Sequence, residues 1–368
     1  MDIGLTSPYA HPHVHRGTER YLHELAAWLA SRSHAVEIVT STRGPSTRAV
    51  DEGGVPVSYG HRGPPRGRGS WAIDDIVRTG PPIARRVRSL TADVVQSHHY
   101  VDAAAVRLGR LGQPVPYVIW MPGAAPRSLL RGKPWHRRAF QLAVNGAARI
   151  HSLSEYAKRV LLEEFGVESD HVPPGVDTRR YEGPKTVDES PMILCTAAAG
   201  ESRKRVDQLV QAFPKVLADR PTCRLVLATA DRAAAERLLG GLDDEARGRA
   251  AVRSGLDADE LAGLYREAAM TVLPSIREAF GLVVVESLAA GTPVAVTDHG
   301  ALPELVDEGS TGFLFGPEDP DAVARAIVAT LDLADDPATV ARCRAAAQRW
   351  DWAEVGPTIE GIYGQLVR

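Results

Sequence analysis

Glu278 and Glu286 stand eight positions apart in the stretch Pro274-Ser275-Ile276-Arg277-Glu278-Ala279-Phe280-Gly281-Leu282-Val283-Val284-Val285-Glu286. The pattern reads as a strand ending at Pro274, a loop holding Glu278, and a helix opening near Gly281 or Leu282, with Glu286 on its first turns. The N–H groups of the Phe280–Val283 turn carry the positive end of that helix dipole, which suits a phosphate. A glycine there lets an anionic group approach the backbone closely. Glu278 can accept hydrogen bonds from sugar hydroxyls, and Glu286 can accept two from a ribose diol. Spacing alone also allows a plainer assignment, with Glu278 a partner of the helix dipole and Glu286 a solvated helix residue.

A second constellation follows the strand pattern Met192–Thr196, where Gly200-Glu201-Ser202-Arg203-Lys204-Arg205 opens a helix. Cations at a helix start are electrostatically unfavourable and need a reason. Neutralising a phosphate that gains charge as it departs is one. In Asp93-Val94-Val95-Gln96-Ser97-His98-His99-Tyr100, two histidines follow a strand. One histidine in such a place is usually structural; two at a strand end point more towards function.

The elements that must position these residues alternate along the whole chain. Short β-rich runs and longer amphipathic segments succeed one another, which implies parallel sheets with crossover helices. The first half offers strands at Ile3–Ser7, Val36–Thr40, Asp93–Ser97, Tyr117–Met121 and Arg149–Ser152, with helices such as Glu19–Arg32 and Ala103–Leu111. Ser154 is placed to cap a helix over Glu155–Phe165. The second half restarts the pattern, with strands at Met192–Thr196, Arg224–Ala228, Met270–Pro274 and Pro293–Thr297. Its helices include Val206–Ala218, Ala258–Ala268 and Val283–Ala290. A Pro-, Gly- and Asp-rich stretch, Pro173–Pro191, reads as a linker between two domains, 1–180 and 181–349. A last helix, 350–368, is placed to return to the first domain. Gly60–Gly69, rich in Gly, Pro and Arg, reads as a mobile basic loop.

Bulk properties narrow the class. A chain of 368 residues accommodates two cores, and 44% hydrophobic with 24% charged residues excludes a disordered protein. A net charge of -3 gives no global attraction for nucleic acid. Cys195, Cys223 and Cys343 are odd in number and lack metal-ligand spacing, which favours a reducing compartment. No basic n-region precedes the first apolar run, and no apolar run reaches the roughly 18 residues of a spanning helix. The expectation is a cytoplasmic protein.

The carboxylate stretch, with the motifs that follow it, resembles the signature of the retaining GT-B glycosyltransferases of family 4. The resemblance continues through Ala289-Ala290-Gly291-Thr292-Pro293-Val294, Gly300-Ala301-Leu302-Pro303-Glu304-Leu305-Val306 and Gly309-Ser310-Thr311-Gly312-Phe313-Leu314. Upstream, Ser254-Gly255, Glu260-Leu261 and Leu264-Tyr265 keep the family's spacing to Pro274-Ser275. The resemblance implies an α/β fold with two Rossmann-like doubly wound domains facing each other across a cleft. The N-terminal domain would take the acceptor and the C-terminal domain the nucleotide-sugar donor.

By that resemblance Glu286 binds the donor ribose and Glu278 the transferred sugar. The Phe280, Gly281 and Leu282 backbone meets sugar and diphosphate, and Gly255 lies against the nucleobase. Lys204 aligns with the family's phosphate-binding lysine. Where the family has an arginine five residues earlier, this chain has Ala199, and Arg203 is the candidate second cation. Arg16-Gly17-Thr18-Glu19-Arg20 resembles the family's Gly-Gly-x-Glu-Arg loop. Gly17 is retained near the donor phosphate, and Arg16 replaces the first glycine on the acceptor side. His99-Tyr100 matches a family pair, with His99 and His98 as catalytic candidates and Tyr100 towards the acceptor. Pro122 stands where the family often has a histidine.

The resemblance also implies chemistry that needs no metal and no cofactor beyond the donor. His11, His13 and His15 alternate in the first loop and face the acceptor rather than a metal. Arg131, Lys133, Arg137 and Arg138 form a solvated basic helix, for which an anionic acceptor or a membrane surface is the sharper, less favoured reading. The expected activity is sugar transfer, with retention, from a nucleoside diphosphate to a hydroxyl of a small molecule such as a secondary-metabolite aglycone. A sugar-nucleotide epimerase, a sugar phosphorylase or a non-catalytic sugar-nucleotide-binding protein are the alternatives.

Overall fold

The computed structural model describes residues 1–9, 17–51, 53–62, 71–121, 133–186 and 189–367; of 71–77 it describes the backbone alone. The chain divides into two compact units, Met1–Gly175 with Trp352–Arg368, and Val176–Asp351. The chain changes unit at Gly175–Val176 and again at Asp351–Trp352.

The first unit is built on β1 (Asp2–Thr6), α1 (Gly17–Ser31), β2 (Ala35–Thr42), β3 (Thr47–Val50), β4 (Pro56–His61), α2 (Trp71–Val87), β5 (Val94–Ser97) and α3 (Tyr100–Gly109). It continues with β6 (Tyr117–Met121), α4 (Pro134–Val144), β7 (Arg149–Ser152), α5 (Glu155–Phe165) and β8 (Asp170–His171). The sheet order is β3-β4-β2-β1-β5-β6-β7-β8, parallel throughout except for β3 against β4. Central strands covered on both faces need continuous apolar runs. Ile3, Leu5, Val94, Val95 and Tyr117–Met121 supply them and are buried.

Strands β3, β4 and β8 depart from the sequence reading. All four residues of β3 are exposed, so it has no apolar signal. Its anchor is polar: Arg48 donates to Ser58 and pairs with Glu37 at 3.1 Å, while Ser58 donates to Glu37 at 2.6 Å. Gly60 and His61 belong to β4 rather than to the expected loop, and the remainder of that loop, 63–69, lies outside the described residues.

The second unit follows with β9 (Met192–Cys195), α6 (Val206–Asp219), β10 (Arg224–Ala228), α7 (Arg232–Leu239), α8 (Asp244–Gly248), β11 (Ala250–Arg253), α9 (Ala258–Glu267) and β12 (Met270–Leu273). It ends with α10 (Leu282–Ala289), β13 (Val294–Thr297), β14 (Gly312–Phe315), α11 (Pro320–Ala334) and α12 (Ala338–Ala347). Its six strands are all parallel in the order β11-β10-β9-β12-β13-β14. That is the doubly wound order 3-2-1-4-5-6, whose direction reverses between β9 and β12. Strands β11 and β14 are additions to the sequence reading. Cys195, Cys223 and Cys343 are free and buried in this unit.

The final helix, α13 (Trp352–Leu366), completes the first unit. Trp352 donates to Glu24 at 3.1 Å and stacks on Tyr21 at 5.5 Å. Tyr363 is fully buried and donates to Gln96 on β5 at 2.7 Å. Glu360 pairs with Arg32 and His34 at the end of α1. Among the described residues, no helix is long and apolar enough to cross a membrane.

Candidate active site

In an open α/β sheet, ligands bind beyond the carboxyl ends of the strands where the order reverses. In the second unit those ends are the loops after β9 and β12. The β9 loop closes with one 3-10 turn, Ser202–Lys204, and Arg205 then enters α6 with φ of 50°. The β12 loop bends through Arg277, with φ of 58°, and through Gly281, with φ of 117°, before α10 begins. The Ile276 N–H donates to the Arg203 carbonyl at 2.8 Å and so ties the two loops together. The Ala301 N–H donates to the Glu278 carbonyl at 3.0 Å. A Cβ on Gly300 would fall 2.8 Å from that carbonyl oxygen, so only glycine leaves the Glu278 backbone where it is.

These loops bring three charges together. Lys204 forms an ion pair with Glu278, and Arg203 reaches the same carboxylate oxygen at 3.4 Å. Arg203 also pairs with Glu201 at 3.0 Å. Burial acts to raise the Glu278 pKa, but Lys204 and then Arg203 outweigh it and hold the carboxyl below its ordinary range. Glu278 is therefore an anion at neutral pH, with two cations assembled on it. The backbone of Phe280, Gly281 and Leu282 turns into α10 directly after it. Phe280 is buried and meets Trp350 edge to face at 6.1 Å.

Glu286 departs from the plainer sequence reading of a solvated helix residue. It is 1% exposed and accepts a hydrogen bond from the Tyr265 hydroxyl at 2.8 Å. That hydroxyl also shares a hydrogen bond of 3.1 Å with Thr196, the residue after β9. Gly255, in the turn after β11, has φ of 71° and open space on its Cα.

The corresponding reversal in the first unit lies between β1 and β5. Here Thr6 donates to Asp102 at 2.8 Å, and the His98 N–H donates to the same oxygen at 2.9 Å. His98 Nδ1 lies 2.8 Å from the Thr6 carbonyl, which can only accept, so Nδ1 carries the proton. Nε2 is then the acceptor for the Gln96 amide at 3.1 Å. The ring is 1% exposed, and burial lowers its pKa to about 4 despite the Thr6 carbonyl. His98, a catalytic candidate in the sequence, is thus enclosed by protein with both ring nitrogens engaged. Burial likewise pushes Asp102 up to about 8, against the hydrogen bonds it accepts.

His99 is half-buried and caps α3, with Nδ1 accepting from the Val101 N–H at 3.3 Å. Burial, then the neighbouring His136, lower its pKa to about 3. Tyr100 shares a 2.8 Å hydrogen bond with His136 on α4, and burial raises its phenol to about 12. Gly17 opens α1. Arg16, His11, His13, His15, Pro122 and Arg131 lie outside the described residues. Of the basic stretch, Arg137 and Arg138 are exposed, and Arg138 covers the ring of the exposed Trp135 at 5.5 Å.

Residues 15–180 match the family model described as Glycosyltransferase Family 4, and residues 190–332 match the one described as Glycosyl transferases group 1. A D-inositol 3-phosphate glycosyltransferase of Pseudarthrobacter chlorophenolicus is 30% identical over 388 residues, 96% of this chain and 91% of that one. The chain belongs to the family 4 glycosyltransferases. A phosphatidyl-myo-inositol mannosyltransferase of Mycolicibacterium smegmatis is 26% identical to this glycosyltransferase, over 99% of this chain and 93% of that one. Its fold is shared with the Anabaena HepE structure in complex with UDP, at 18% identity and a TM-score of 0.77, over 99% of this chain and 100% of that one.

In this glycosyltransferase Glu278, Lys204 and Arg203 are brought into direct contact, whereas the sequence distributed them between sugar and diphosphate. Three participants escaped the sequence reading. Tyr265 entered only as part of the Leu264-Tyr265 spacing, although its fixed distance from Pro274-Ser275 was a signal for a side chain aimed at α10. His136 and Asp102 carried no motif; each acquires its role from partners distant in the chain.

Proposed function

We propose that this glycosyltransferase moves a sugar, with retention and without a metal, from a nucleoside diphosphate to a hydroxyl of a small polar acceptor. The observation that carries the reading is the assembly of Lys204 and Arg203 on Glu278 at the strand-order reversal, beside the glycine-led start of α10. In the transfer, the bond between the sugar C1 and the β-phosphate oxygen breaks as the acceptor oxygen bonds to C1. The acceptor proton passes to the departing phosphate. Charge grows on the diphosphate and positive character on C1, so cations fixed near the phosphate lower the barrier. Lys204 and Arg203 exchange part of their hold on Glu278 for the diphosphate, and the α10 N–H groups add their dipole. Glu278, held ionised, then accepts from the sugar hydroxyls, and Glu286 from the ribose diol.

The donor falls to the second unit and the acceptor to the first in this reading. The UDP bound in the HepE structure and two inositol-directed relatives support a nucleotide donor and a polyol-like acceptor. The first test is thermal stabilisation of wild type and Glu286→Ala by UDP, GDP, ADP and dTDP. A nucleotide at 100 times its dissociation constant should add about 2.7 kcal/mol, and the variant should lose most of it. Transfer assays with the nucleotide sugar so identified, in the presence of EDTA, then report acceptor and anomeric configuration. Absence of any nucleotide shift, or an inverted product, would overturn the reading.

A further inference from the structure

We infer that Tyr265 is a positioning residue for donor binding: it orients the Glu286 carboxylate towards the ribose diol. The inference rests on the assignment of Glu286 to the ribose and extends it to a side chain outside the carboxylate motif. Tyr265 is fully buried on α9, and its hydroxyl donates to Glu286 Oε2 at 2.8 Å. The same hydroxyl shares the 3.1 Å hydrogen bond with Thr196. One phenol thus links the end of β9 to the helix that follows β12, the two sides of the strand-order reversal.

The backbone of Tyr265 is fixed as firmly as its side chain. Thr292 donates to the Tyr265 carbonyl at 2.6 Å. Lys185, from the segment that follows the change of unit, donates to Ala268 O at 2.5 Å and to Thr292 Oγ1 at 2.5 Å, and it reaches Tyr265 O at 3.5 Å. An ammonium group on the last carbonyls of α9 is also favoured by the helix dipole. The ring meets Tyr181 edge to face at 5.8 Å. A phenol anchored at both ends holds one carboxylate oxygen in place, and a carboxylate in one orientation is what two vicinal hydroxyls require. Hydrogen bonds to a charged acceptor are stronger than neutral ones, so loss of the phenol acts on the carboxylate more than on packing.

The test compares wild type, Tyr265→Phe, Thr196→Val and Glu286→Ala in calorimetric binding of whichever of UDP, GDP or ADP stabilises the wild type, and of its 2′,3′-dideoxy form. Tyr265→Phe keeps the ring and should weaken binding of the ribonucleotide by about tenfold, leaving the dideoxy form nearly unchanged. Its donor KM should rise with kcat little altered. Thr196→Val should show the same pattern at smaller size, and it carries the test if Tyr265→Phe fails to fold. A variant that weakens both nucleotides equally, or neither, overturns the positioning role. If Glu286→Ala still discriminates ribose from dideoxyribose, or no nucleotide binds the wild type, the ribose assignment itself fails and the role of Tyr265 falls with it.

Discussion

The two units turn their sheets over at the same topological point and place opposite kinds of chemistry there. At the β9–β12 reversal stand paired, partly exposed charges, Lys204 and Arg203 on Glu278. At the β1–β5 reversal stands a buried network of Thr6, Ser97, His98 and Asp102. Ions paired at a rim can exchange one partner for a ligand, since each keeps access to water and to new charge. Buried groups do so at greater cost, because removing a partner leaves a desolvated polar atom; among the described residues Asp102 Oδ1 is already buried without a hydrogen-bond partner. Residue types divide the same way. His299 is the one histidine of the 12 in Val176–Asp351, whereas all three cysteines fall there. A shared strand order therefore locates a candidate site without deciding its chemistry.

The largest expected effect sharpens that contrast directly. Lys204→Ala should cut the sugar-transfer rate by about 10²–10³-fold, the usual loss for one preorganised charge or donor aimed at a leaving group. His98→Asn should change nucleotide affinity by less than about twofold. Steady-state kinetics and calorimetry on both variants check this, and a larger nucleotide effect from His98 would erase the distinction.

Acid should separate the units next. His98 and His151 are buried with pKa values lowered to about 4, and His99 to about 3, burial being the chief cause in each. The unfolded chain takes up protons near 6.5 that the folded rings refuse, so the histidine share of stability is complete above pH 6.5 and declines towards pH 4, while Asp102, raised to about 8, acts in the opposite sense over that range. For His98 alone the decline is about 3 kcal/mol, at roughly 1.4 kcal/mol per unit. Hydrogen exchange at pH 6.5 and pH 4.5 in an Asp102→Asn variant, which removes the opposing titration, should show protection falling first in β1, β5 and α3. Earlier loss in β9 and β12 would contradict the histidine account.

Two smaller substitutions probe local architecture on either side. Gly300→Ala should destabilise the second unit by about 2 kcal/mol, because a Cβ must crowd the Glu278 backbone at positive φ. It should raise the donor KM as well, through displacement of Glu278; denaturation and kinetics together decide. Ser154→Ala should remove about 1 kcal/mol from the first unit, where its hydroxyl accepts from the Ala157 N–H at 3.0 Å, and leave the donor KM unchanged.

Legibility in the sequence follows the same physics. Central strands declare themselves because burial on both faces demands unbroken apolar runs, and the helix over Glu155–Phe165 with its Ser154 cap is where local chemistry places it. Edge and polar strands do not. β3 is wholly exposed, β4 opens on Pro56 and contains Gly60, and Ala250-Ala251-Val252-Arg253 of β11 has a helix former's composition. In the site, Lys204, Glu278 and Glu286 carry readable spacing. The burial of His98 was not readable, since its deciding acceptor, the Thr6 carbonyl, lies 92 residues away. The same holds for the Tyr265–Glu286 bond, which spans helices α9 and α10.

The return of α13 to the first unit has a consequence for synthesis on the ribosome. Trp352 and Tyr363, which close over Tyr21 and Gln96, are translated only after the whole of Val176–Asp351. The segment Val176–Asp351 therefore emerges with every residue of its own core, while the half that began earlier still lacks its closing helix. The nascent chain matures out of order: the segment Val176–Asp351 can complete its core before the half translated first receives its closing helix.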